Sequence, residues 1–153
     1  MNQLRIGIFA DVSNLYFCCR ERFQKKIDYA KLLKFCIGSD NLIKAVAYGI
    51  HSTDSNGFKN ALKNIGWDIN FRTPKSFSDG SKKADCDITI VMDFFRSIDL
   101  VYKIILCTAD GDFCQLVQWC FEKGRSVKVV GCNISHELTQ ITECVEVNKE
   151  LLE

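Results

Sequence analysis

The sequence predicts an α/β fold, a mainly parallel sheet with helices on both faces, and three observations carry that reading. Apolar runs too short for helices alternate with stretches whose apolar residues recur at helical spacing. Glycines stand where two of those helices should stop. Two apolar runs lead straight into aspartates, at the end where an open parallel sheet keeps its ligand-binding groups.

The elements follow in order. Leu4–Ala10 reads as a strand buried on both faces, because its apolar residues are continuous rather than alternating. Tyr29, Leu32, Leu33, Cys36 and Ile37 make the first helical stripe, and Leu42–Ile50 the next strand. Phe58, Ala61, Leu62 and Ile65 form a second stripe that Gly66 ends, with a strand at Trp67–Phe71 after it. A polar loop, Arg72–Lys83, holds the only proline, Pro74. Ile88, Val91, Met92 and Phe95 form the third stripe, before a strand at Tyr102–Cys107. Phe113, Leu116, Val117, Cys120 and Phe121 form the fourth, which Gly124 ends before a strand at Ser126–Val130. A short helix from Ser135 and an extended piece at Cys144–Val147 follow. Strictly alternating strands and helices are the signature of βαβ units.

Residues 1–153 read as one domain, since neither a repeat nor a linker divides them. Twenty basic against nineteen acidic residues leave a net charge of +1, so no global field draws in nucleic acid or membrane, and a nucleic-acid partner must be met by a local patch. No apolar run approaches the ~20 residues of a membrane span, so no membrane partner is expected. Asp11, close after the first apolar run, argues against a signal peptide. The nine cysteines never form CxxC, and His51 and His136 do not stand at zinc-ligand spacing to them. An odd number of thiols fits a reducing, cytoplasmic setting.

The chemistry is carried by acids. IGIFA runs into Asp11, Val12, Ser13 and Asn14, and IILCTA runs into Asp110, Gly111 and Asp112. Asp85, Asp87 and Asp93 cluster at the start of the third stripe. Taken singly, each reads as a helix N-cap worth about 1 kcal/mol or as an acid favoured by the helix dipole. Asp93, six positions after Asp87, is expected to face elsewhere on its helix. Taken together, convergence of Asp11, Asp87, Asp110 and Asp112 would make joint ionisation costly. A hard divalent cation, Mg²⁺ or Mn²⁺, removes that cost and can activate water against phosphorus. Absent are a Walker loop, a GxGxxG after the first strand and a nucleophile elbow.

The segments IFADVSNLY, KKADCDITIVMDFF, LCTADGDFCQLV and SVKVVG, in that order, resemble the NYN domains, the LabA-like branch of the PIN-domain superfamily. The resemblance covers nearly the whole chain. DxxN alone is weak, but together with the Lys83–Asp87–Asp93 spacing and TADGDF it is fairly specific. It implies a Rossmann-like, three-layer α/β/α fold with strand order 3-2-1-4-5 and a metal-dependent ribonuclease activity. Position by position, it implies that Asp11 is the first metal-site carboxylate, Asn14 its hydrogen-bonding companion, Asp87 the second acid, Asp110 the third and Asp112 the fourth. Asp85 is an additional acid, and Ala84 stands where many relatives have glycine, so either Asp85 or Asp87 could be the inward one, and Asp87 is the one expected.

Arg72, Lys75, Lys82 and Lys83 give the loop a basic character suited to an RNA backbone, with Lys59 and Lys63 on the second helix. Phe77 could stack on a base or fold back onto the core. Ser13 and Thr108 could hydrogen-bond a water or hydroxyl at the site, or simply finish a turn. The function expected is hydrolysis of RNA phosphodiester bonds with Mg²⁺ or Mn²⁺ through the aspartates. One rival is a non-catalytic RNA- or protein-binding regulatory module on the same fold. The other, a haloacid-dehalogenase-like phosphatase, needs a second aspartate where Ser13 stands. A protein partner that supplies specificity, and pairing into a homodimer, stay open.

Overall fold

The computed structural model describes residues 3–52, 54–76, 82–83 and 86–153. Six strands form the sheet: β1 (Arg5–Asp11), β2 (Asn41–Ile50), β3 (Asp68–Arg72), β4 (Lys103–Cys107), β5 (Ser126–Gly131) and β6 (Glu143–Glu146). Their order is 3-2-1-4-5-6, and every pairing within it is parallel. The helices are α1 (Val12–Phe23), α2 (Tyr29–Ile37), α3 (Asn56–Ile65), α4 (Asp87–Ser97), α5 (Cys114–Glu122) and α6 (His136–Ile141).

The continuous apolar runs mean what they should. In β1, Ile6, Ile8 and Ala10 face one apolar core while Phe9 faces the other. In β4, Ile105 and Cys107 take the first side, and Ile104 and Leu106 the second. Leu15 of α1, Leu32 and Cys36 of α2 and Leu62 of α3 close the first core. Ile90 and Phe94 of α4, Leu116 and Val117 of α5 and Leu138 of α6 close the second. The result is three layers, with β1 and β4 at the centre.

Gly66 and Gly124 end α3 and the α5 segment as expected, with φ of +126° and +74°. In the second case the Arg125 N–H reaches back to the Cys120 carbonyl at 3.0 Å. Two elements exceed the sequence reading. α1 has no full apolar stripe, since only Val12, Leu15 and Cys19 of its residues are buried. β6 adds a sixth parallel strand beyond the expected five, where only an extended piece was foreseen.

β1 is the point where strand order reverses. The chain leaves it through α1 and α2 for β2 and β3 on one side, then returns through α4 to β4 on the other. The carboxyl ends of β1 and β4 therefore flank the crevice in which such sheets bind ligands. No helix among the described residues is long and apolar enough to cross a membrane.

The cores hold protonated acids. Burial pushes the thiols of Cys19 and Cys120 from 9.0 up to about 12 and lifts the Tyr29 and Tyr48 phenols. A hydrogen bond with Cys36, then burial, lifts Cys107. The unfolded chain releases these thiol protons from about pH 9 while the fold retains them, so the folded state binds more protons there and stability must fall as pH rises. In reducing buffer, the urea midpoint is expected to be level to about pH 8 and to drop between pH 9 and 11. A midpoint unchanged at pH 10.5 would contradict the burial of these groups.

Candidate metal centre

Asp11 is the last residue of β1, 7% exposed, and its carboxylate accepts the Asn14 N–H at 3.3 Å as the N-cap of α1. Asp110 follows β4 after Thr108 and Ala109. Its carboxylate accepts the Asp112 N–H at 2.9 Å and caps the 3₁₀ turn Gly111–Phe113. Both strand-end aspartates are thus caps, and capping holds their oxygens at the carboxyl edge of the sheet. Asp87 is the first residue of α4 and half-buried.

Asp87, Asp110 and Asp112 each present a carboxylate oxygen within 4.8 Å of the other two. Three ionised carboxylates at that spacing repel one another, which a cation would relieve. Asp11 is not one of the three. It stands at the end of the neighbouring strand, where Ala10 pairs with Cys107. Asp93 faces away from the group: it is buried, accepts the Tyr48 hydroxyl at 2.6 Å and pairs with Arg96 at 3.3 Å. Asp85 lies outside the described residues.

Backbone supports fix the Asp110 turn. The Ala109 N–H donates to Asn14 Oδ1 at 2.9 Å, tying the first turn of α1 to the end of β4. Asn14 is therefore a brace for the site. Thr108 is fully buried, and its hydroxyl oxygen accepts the Asp110 N–H at 3.3 Å. Gly131 passes so close that a Cβ there would run into the Thr108 carbonyl. From α6, the Ser135 N–H donates to the Ala109 carbonyl at 2.9 Å. Glu137 comes within 3.4 Å of where a Gly111 Cβ would sit. Glu137 is an acid the sequence reading missed, and no motif marks it. Burial and then Glu137, Asp110 and Asp112 push the Cys114 thiol up, which registers the negative field here.

The basic groups are less concentrated. Arg72 donates from Nε to Thr89 Oγ1 at 3.1 Å, which ties the end of β3 to the first turn of α4. Lys75 and Ser76 pair antiparallel with Lys83 and Lys82 through the backbone. Phe77 lies outside the described residues. Lys59 Nζ sits 2.6 Å from His51 Nδ1. Lys63 falls in the last turn of α3, toward the start of β3 and away from the acids. Ser13 is half-buried on α1 and lines a cavity rather than joining the acid group.

All donors in the group are carboxylate oxygens, a hard set that fits Mg²⁺ or Mn²⁺ and has no thiolate or imidazole to favour zinc.

The sequence model of the NYN domain matches residues 5–146. The chain is 26% identical to the low amplitude and bright protein LabA of Synechococcus elongatus over 151 residues, covering 91% of this chain and 81% of that one. A crystal structure of a Vibrio parahaemolyticus protein of unknown function, 28% identical, matches with a TM-score of 0.93 over 99% of this chain and 97% of that one.

Removing the Asn14 oxygen leaves the Ala109 N–H without its acceptor. Asn14→Ala is expected to cost about 1–3 kcal/mol and to speed hydrogen exchange at the Ala109 amide. Unaltered exchange there would mean the brace is not formed. Gly131→Ala is expected to cost about 1–3 kcal/mol in the same denaturation assay, because the Thr108 backbone must move.

Proposed function

Because the chain belongs to the NYN domain family, we propose that it is a Mg²⁺- or Mn²⁺-dependent ribonuclease that hydrolyses RNA phosphodiester bonds at the carboxyl edge of its sheet. The observation that carries this reading is the convergence of Asp87, Asp110 and Asp112 within 4.8 Å. These three would hold the cation directly or through its waters, and Asp11 would complete the acid set from the adjoining strand. Bound there, a divalent cation supplies charge neutralisation at the scissile phosphate and a water of lowered pKa.

The chain's own groups do the rest. The capping bonds of Asp11 and Asp110 fix two carboxylates before any ligand arrives, so little ordering is needed on binding. Asn14 and Thr108 hold the Asp110 turn from two sides. Asp112 is exposed where Asp87 and Asp110 are half-buried, so it is the carboxylate of the three most open to solvent. Arg72, exposed and joined to the turn after Asp87, is placed to meet the RNA backbone. Ser13 stands where the aspartyl-phosphate phosphatases need an acid, which disfavours that chemistry.

Asp110→Asn keeps a capping oxygen and removes the charge, so the variant should fold. Incubated with labelled single-stranded RNA, the wild type is expected to cleave with Mn²⁺ or Mg²⁺ and to stop with chelator. The variant is expected to lose at least about 10-fold, the scale already seen for groups that only support a metal ligand. Wild type and variant both folded and equally inert would overturn the nuclease reading in favour of a binding module.

A further inference from the structure

Beside the acids lies a cavity of about 680 Å³, within the usual range for a ligand site. Its walls are aromatic. Tyr29, Phe58 and Phe71 form a continuous set, with ring centroids 5.6 Å apart for Tyr29–Phe58 and 6.2 Å for Phe58–Phe71. α1 contributes Tyr16 and Phe17, whose rings meet edge to face at 5.4 Å. Phe17 is 68% exposed, so a large apolar face stands in water at the cavity mouth. Ser13, Ser52, Asp54 and Lys26 add a few polar groups to the lining.

The cavity is stitched to the acid group at two points. Ser13 lines it, and the next residue, Asn14, accepts the N–H of Ala109 immediately before Asp110. Phe71 lines it, and the next residue, Arg72, donates to Thr89, two residues after Asp87. The elements that build the cavity are thus the ones braced to the elements that carry the carboxylates. Lys59 completes the arrangement, with its ammonium 6.0 Å from the Phe71 ring centroid.

Resting on the nuclease reading for its substrate, we propose that this cavity is a nucleobase pocket: it takes one unstacked base of a single-stranded RNA whose backbone crosses to the acids. Flat aromatic walls from α1, α2, α3 and β3 suit a base's faces, and the serines and Asp54 suit its hydrogen-bonding edge. Arg72, tied to the first turn of α4, and Lys59, over the Phe71 ring, suit the phosphates that link that base to the scissile bond. The pocket also explains why α1 keeps Tyr16 and Phe17 outward on a helix that buries only three residues.

The test separates binding from cleavage. In chelator, binding of uridine and adenosine 5′-monophosphate, ribose 5-phosphate and a short single-stranded RNA is measured by NMR titration. The proteins are wild type, Phe58→Ala, which removes a wall, and Ser52→Trp, which fills the cavity from its rim. Folding of each is checked by its denaturation curve. The expected results are nucleotide binding tighter than ribose 5-phosphate binding, shifts at cavity residues, and RNA affinity about 10-fold weaker in both variants. Folded variants with unchanged RNA affinity would overturn the pocket, and so would ribose 5-phosphate binding as well as the nucleotides. Nucleotide binding that RNA fails to displace would overturn it too, in favour of a free nucleotide. RNA cleavage with cation is followed in parallel. Unchanged RNA binding by the variants, with cleavage by the wild type, rejects the pocket and keeps the nuclease. Variant-sensitive base binding without cleavage keeps the pocket and rejects the nuclease.

Discussion

Burial of β1 and β4 on both faces is the constraint from which the site follows. Ile6, Ile8, Phe9 and Ala10 on one strand, and Ile104 to Cys107 on the other, leave no face on which a charge could stand without a large desolvation cost. Polar chemistry is thereby expelled to the strand ends. At the amino ends, Asn41 and Lys103 begin their strands near Asp40, which pairs with Lys103 and satisfies it. At the carboxyl ends, Asp11 and Asp110 emerge beside one another because their strands are neighbours. The reversal of strand order at β1 opens a crevice there, so sequence-distant acids meet without any long loop.

Stability and function share the same bonds at this edge. A capping aspartate needs its oxygens near the helix N-terminus, and a metal-site aspartate needs them fixed and outward. Asp11 and Asp110 meet both needs, because a carboxylate has two oxygens and about four acceptor sites, so accepting one backbone N–H does not exhaust it. Asn14 shows the complementary case. An aspartate there would add a charge to an already repulsive group, whereas the amide oxygen accepts the Ala109 N–H without one. A neutral acceptor at that position lowers the electrostatic cost of assembling the site.

Much of this was legible in the residues. Continuous apolar runs identified the buried strands, since two-sided burial abolishes the alternation of a half-exposed strand. Gly66 and Gly124 were readable as stops because their positive φ is costly for any other residue. Asp87, Asp110 and Asp112 were all named, and the structure brings them together. α1 was not legible: only three of its residues are buried, Cys18 and Phe23 pack against the core partly exposed, and Tyr16 and Phe17 line the cavity, which blurs the stripe. β6 was seen only as an extended piece, because pairing at an edge depends on β5 rather than on its own pattern. Glu137 and the Arg72–Thr89 bond depend on how α6 and β3 dock, and no local pattern encodes docking.

The two helical layers divide the labour at the carboxyl edge. α4 and the α5 segment, on one face, bring Asp87, Asp110 and Asp112, while α1 and α3, on the other, bring aromatic rings. The first turn of α1 adjoins both. Its residues alternate accordingly: Asp11 and Asn14 work toward the acids, Val12 and Ser13 toward the cavity. Helical geometry makes that split natural, because successive residues turn by about 100° and so address opposite sides of one turn. The short DVSN segment therefore does more than supply an acid. It is the partition on which a charged site and an apolar one are both built, so a change that tilts this turn should disturb both.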